Sequence, residues 1–176
     1  MSVTTVADRP VWTADEALVQ LYAAHWRQLV RLSVLLVRDQ GTAEEVVQDA
    51  FVAVHGRWDR LRDPDRALAY LRQTVVNRSR SALRHQAVVD RHAARRTPSA
   101  DEPGADQAAL ATGRRAAVLD ALRALPDRQR EVLALRYYLD LSESEIAETL
   151  GISRGAVKSH ASRGAAALRP LLEKEL

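Results

Sequence analysis

The 176-residue sequence has no cysteine and only one phenylalanine and one methionine. Without a thiol it can form neither a disulfide nor a thiolate metal site. Aromatic residues make up 5% of the chain, so leucine, valine and alanine must supply most of the core. Nowhere do about 18 apolar residues run together, so no membrane span is expected. The opening "MSVTTVADRPVW" lacks a basic start followed by an apolar run, so no signal peptide is expected and the default is a soluble cytoplasmic protein. No alternating β-branched run appears either, while alanine and leucine favour helices. An all-α protein is expected. The sequence has no phosphate-cradling GxxxxGKS/T, no metal-binding HExxH and no nucleophile–base cluster, and its five histidines are scattered. Neither an enzyme nor a cofactor is expected.

What is present is charge, and it is segregated. The net charge is only +3. Yet residues 57–96 hold eleven arginines against four aspartates, while residues 39–50 carry Asp39, Glu44, Glu45 and Asp49 with no basic residue. Such a distribution suggests separate surfaces for separate partners. An arginine-rich solvated face is the plainer reading of the same charges.

Helical signals fall into two groups. In the first, residues 13–89, "TADE" makes Thr13 an N-cap with Glu16 three residues on, a capping box. Leu18, Leu21, Tyr22, Leu29, Leu32 and Leu36 follow at helical spacing. "TAEE" predicts a second box from Thr42 and Glu45, with Val46, Val47, Ala50, Phe51 and Val54 facing inward. Asp63-Pro64 looks like a cap and a first-turn proline opening a third helix. Residues 90–113 lose the periodicity and gather Pro98, Ser99, Pro103 and Gly104, which predicts a flexible tether. Periodicity returns over residues 114–176, interrupted near Pro126. Two small lobes on a string is the expected organisation.

The stretch "LSESEIAETLGISRGAVKSHASRGAAALR" (141–169) packs the most information. Ser142 and Glu145 form another capping box, Gly151 can end that helix in the left-handed conformation, Ile152 can plug the corner, and Ser153 can cap the next helix. Two short helices joined by a tight glycine-containing turn match a helix-turn-helix. On the second helix Val157, Ala161, Gly164 and Leu168 would face inward, leaving Arg154, Lys158, Ser159, Ser162 and Arg163 outward. A major groove admits one helix, and guanine offers acceptors that Arg and Lys can reach. The plainer reading is a helical hairpin with a solvated basic face.

With these segments in order, the chain resembles an extracytoplasmic-function sigma factor, the minimal two-domain class of the major bacterial sigma family. "AEEVVQDAFVAVHGRW" (43–58) resembles the helix of the family's second region that docks on the polymerase, "AYLRQTVVNRSRSALR" (69–84) the next helix, which reads the −10 element, and residues 121–164 the fourth region, which reads the −35 element. By position, the resemblance makes Glu45, Gln48 and Asp49 polymerase-binding residues. It makes Asn77, Arg78, Arg80, Ser81 and Arg84 −10-binding residues, with Arg62 in the loop "DRLRDPDR" where the family holds a flipped base. Trp58 and Tyr70 are candidate stacking surfaces, although Trp58 is equally suited to anchor the core. Arg154, Lys158, Ser159, Ser162 and Arg163 fall on the −35-reading helix. Implied partners are core RNA polymerase, promoter DNA (duplex at −35, single-stranded at −10) and an anti-sigma factor; a monomer is expected. Rival readings are a dimeric helix-turn-helix repressor or activator, a polymerase-bound scaffold, and a metal site from Glu45, Asp49 and His55.

Overall fold

A computed structural model describes residues 12–95 and 109–173, and of residues 109–112 the backbone alone. Three long helices form the first lobe: α1 (Ala14–Val37), α2 (Gln40–Leu61) and α3 (Pro64–Ala94). The second lobe contains α4 (Ala109–Arg123), α5 (Asp127–Leu133) continuing into a π-helical turn (Ala134–Tyr138), α6 (Glu143–Leu150) and α7 (Arg154–Glu173). The described residues contain no strand.

The first lobe closes where the leucine and valine stripes predict. Leu29, Leu32, Val47, Val54, Leu71, Val75 and Val76 are fully or almost fully buried. Tyr22 is an exception at 45% exposure; it stacks on Trp26 with ring centroids 4.6 Å apart and tilts towards the buried Phe51. A buried hydrogen bond of 3.0 Å joins the Ser33 and Ser79 hydroxyls across α1 and α3.

The helix starts follow local chemistry. Thr13 and Glu16 form the expected capping box, and Asp63 caps α3 with Pro64 in its first turn. The expected box at Thr42 and Glu45 does not form. Asp39 is the N-cap of α2 instead, taking the Thr42 N–H at 2.6 Å, so Glu45 lies a turn further in with its side chain exposed. Hydrogen bonds from Thr42 hold the Asp39 carboxyl below the usual carboxylate range. An aspartate three residues upstream offered a competing cap that the S/T-x-x-E pattern does not weigh. Both turns between the long helices use one device: a left-handed arginine, Arg38 (φ 68°) or Arg62 (φ 43°), followed by an aspartate cap.

The boundaries of the expected tether shift. Helix α3 runs to Ala94 and α4 begins at Ala109, so both ends of residues 90–113 are helical; residues 96–108 lie outside the described residues. Nor do the two lobes stand apart. Helix α1 packs on α4 and the π turn, and α3 on α6. Leu35 of the first lobe meets the cluster of Leu122, Leu125 and Leu133 in the second. The Tyr138 hydroxyl donates to the Gln28 carbonyl at 3.3 Å, and Arg38 pairs with Asp120. Periodicity finds apolar faces but not which lobe covers them.

Candidate nucleic-acid interface

Ser142 and Glu145 cap α6 reciprocally, and the hydrogen bonds from Ser142 lower the Glu145 carboxyl pKa. Gly151 ends the helix at φ 63°, where only glycine avoids a steric cost. The Ile152 N–H then donates back to the Ala147 carbonyl at 3.0 Å, which closes the turn. The Ser153 hydroxyl accepts the Ala156 N–H at 3.1 Å and so caps α7. On α7, Val157, Ala161 and Gly164 are buried, and Leu168 packs on the apolar cluster of its lobe.

That packing turns Arg154, Lys158, Ser162 and Arg163 to solvent, with Ser159 half-buried. Arg163 bonds the Ser159 hydroxyl at 2.5 Å, which fixes its guanidinium along the helix. Of the acidic residues of α6, Glu143 reaches the edge of this face. Glu143 lies between Arg136 and Lys158 at 3.8 Å from each, and Glu148 lines the cleft between the lobes.

In the first lobe Glu45, Gln48 and Asp49 all project from α2 into solvent. Phe51 turns inward and is buried. Asp49 also meets Arg78 of α3 at 3.0 Å, so the acidic face and the arginine-rich face share an edge. The groups of the rival metal site are drawn apart: His55 bonds Asp15 at 2.7 Å while Asp49 takes Arg78. Among the described residues no three His, Cys, Asp or Glu gather closely enough to hold a metal ion.

On α3, Asn77, Ser81 and Arg84 share an exposed face; the Ser81 hydroxyl donates to the Asn77 carbonyl and Arg84 donates to Ser81 at 3.2 Å. Arg62, at its left-handed corner between α2 and α3, is exposed as well. Tyr70 is half-buried at the cleft with the Arg57 guanidinium 5.3 Å above its ring. Two candidates need correction. Trp58 is only 6% exposed and donates its indole N–H to the Trp12 carbonyl, so it anchors the core and offers no ring face to a base. Arg80 does not point to open solvent: its guanidinium grips Glu131 of α5 through two hydrogen bonds of 2.8 Å. Sequence reasoning missed Glu131 altogether, because a lone glutamate in an amphipathic helix carries no sign that it will be buried.

The comparisons with known proteins bear on this pairing of an acidic face with two basic ones. Residues 21–89 match the family model described as Sigma-70 region 2, and residues 115–168 that described as Sigma-70, region 4. The RNA polymerase sigma-E factor of Streptomyces avermitilis is 35% identical over 147 residues, covering 82% of this chain and 79% of that one. The chain belongs to the RNA polymerase sigma factors. The ECF RNA polymerase sigma factor SigL of Mycobacterium tuberculosis is 34% identical, over 92% of each chain. Among solved structures, that of CnrH in complex with the cytosolic domain of CnrY superimposes with a TM-score of 0.70 at 27% identity, covering 93% of this chain and 97% of that one. That match takes in both lobes. As a sigma factor the chain binds core RNA polymerase and directs promoter-specific initiation, and it is not itself an enzyme. No helix among its described residues is long and apolar enough to cross a membrane.

Proposed function

We propose that the sigma factor divides its work among three helix faces. Glu45, Gln48 and Asp49 on α2 meet basic groups of the polymerase. Carboxylates one helical turn apart can engage two cations at once. Asn77, Ser81 and Arg84 on α3 take the displaced −10 strand, with Arg78 and Arg62 on its phosphates and Tyr70 at the rim. The exposed start of α7, with Arg154, Lys158, Ser159, Ser162 and Arg163, enters the major groove at −35. Holding unpaired bases offsets the stacking and pairing lost on opening, so melting follows from binding. The reading extends to a cytoplasmic monomer and to restraint by an anti-sigma protein; CnrH, which shares the fold, was solved in complex with another protein, the cytosolic domain of CnrY.

One observation carries most of this reading. The basic start of α7 and the carboxylate-bearing stretch of α2 are both exposed on one chain, while Val46, Val47, Phe51 and Val54 of α2 and Val157 and Ala161 of α7 are buried. A repressor would need the first face but not the second, and a scaffold the second but not the first. Run-off transcription with purified core polymerase separates the three. Replacing Arg154 and Lys158 together with Ala should abolish promoter-specific transcripts and leave polymerase binding intact. Replacing Glu45 and Asp49 with Ala should abolish polymerase binding itself. Full transcription by either variant would refute the corresponding assignment.

A further inference from the structure

The surfaces assigned to polymerase and to the −10 strand are not insulated from each other. Asp49 stands on the outer stripe of α2 with Glu45 and Gln48, and Arg78 is exposed on α3 next to Asn77. Where the two helices pack, Arg78 Nη1 donates to Asp49 Oδ2 at 3.0 Å. Glu45, one turn before Asp49, pairs with no cation among the described residues. One carboxylate of the polymerase-facing stripe is therefore tied to the helix that takes DNA, and its neighbour is not.

The pair is built to be broken. Its side chains are 45% and 62% exposed, unlike the Arg80–Glu131 pair, whose carboxylate is buried. An ion pair so open to water adds little to stability and opens at small cost. Each partner also has another role. While the pair holds, a strand phosphate meets a guanidinium already partly neutralised, and a polymerase cation meets a carboxylate in the same condition. A cation arriving at Asp49 competes for its oxygens and repels the guanidinium. Arg78 can then turn its donors to a phosphate, which guanidinium geometry suits.

We propose that the Asp49–Arg78 pair is an exchange switch: docking on polymerase releases Arg78 to the −10 strand, and the captured strand releases Asp49 to polymerase. The coupling rests on the two faces assigned above and adds a link between them. Linkage makes it reciprocal, so each partner raises the affinity for the other by the same factor. For an exposed pair that factor is roughly two- to fivefold.

The test measures two affinities of the full chain at low salt by fluorescence anisotropy. One is for core polymerase; the other, without polymerase, is for a labelled single-stranded −10 oligonucleotide. R78A should bind the strand more weakly but polymerase roughly two- to fivefold more tightly, because Asp49 is left unpaired. D49N keeps the side-chain shape and should do the reverse, losing polymerase affinity and gaining a similar factor on the strand. A misfolded variant gains no affinity, so these crossed gains are read free of folding defects. R91A and E44Q delete the same charges from the same helices at side chains that bond only within their own helix, to the Ala87 carbonyl and to Gln40. Neither should show a crossed gain. The gains of R78A and D49N should shrink as salt rises, since exposed charges are screened. The exchange is overturned if R78A binds polymerase no more tightly than R91A does, or D49N the strand no more tightly than E44Q. E45A and N77A test the faces separately, as each lies on one face and outside the pair. E45A should weaken polymerase binding alone and N77A strand binding alone. If either matched the parent, the face itself would be misassigned and the exchange would fall with it; if both behave as stated while the crossed gains are missing, the exchange alone falls.

Discussion

Two hydroxyls and one arginine illustrate what single residues contribute. The Ser33–Ser79 bond is sealed between α1 and α3, where neither group has water to turn to. S79A strands the Ser33 hydroxyl and should cost about 1–3 kcal/mol in urea unfolding. S33A/S79A should cost clearly less than the sum of the single changes, because removing both partners leaves nothing unsatisfied. Arg62 shows the opposite relation between stability and function. Its left-handed backbone (φ 43°) costs an L-residue about 1 kcal/mol that glycine would not incur. R62G should therefore raise the melting temperature by a few degrees while weakening binding of the −10 strand, as measured with the polymerase complex. Exposure of Glu45, Asn77 or Lys158 was legible in the sequence, since helical phase alone sets it. The fates of Trp58 and Arg80 were not, because each depends on a partner 46 or 51 residues away along the chain.

Helices and their ends were the most readable features, as their signals are local. The boxes at Thr13 and Ser142 formed as their spacing requires, and they leave a pH signature. Hydrogen bonds from Thr13 and Ser142 lower the pKa of Glu16 and Glu145 below the ordinary 4.5. A carboxyl whose folded value is depressed contributes stability at pH above its unfolded value, and that contribution disappears as pH falls through the folded one. Thermal unfolding followed from pH 6 downward should thus lose a component below about pH 4.5 that E16Q/E145Q lacks. Gly164 was less legible; helical phase put it inward without saying why it must be glycine. A Cβ there would lie 3.1 Å from the Leu133 side chain and 3.2 Å from Gln129. Leu133 is 3% exposed in the leucine cluster and has little room to retreat. G164A should therefore destabilise by about 1–3 kcal/mol in urea unfolding, despite alanine's higher helix propensity.

At the scale of the whole molecule, the joint between the lobes is where sequence patterns run out and where the remaining prediction lies. Arg80 stands on the helix assigned to the −10 strand, yet Glu131, 4% exposed at its side chain, binds it through both oxygens while Arg128 adds a contact of 3.2 Å. A glutamate so buried would be costly alone, and the paired guanidinium offsets that cost. While the pair holds, the Nε–Nη2 edge of Arg80 is taken by Glu131, so that edge can hold a phosphate only when the pair opens. E131Q keeps the shape of the side chain but removes its charge. Energy transfer between dyes on α2 and α7 should then report a broader and longer distance distribution, and core-dependent transcription should hold or rise because less work separates the lobes. R80A should loosen the same joint but lower transcription, since the residue that leaves the latch is also lost to DNA. Opposite effects on transcription with the same effect on distance are the signature of a shared residue. If R80A and E131Q changed transcription in the same direction, Arg80 would be a structural clamp and nothing more.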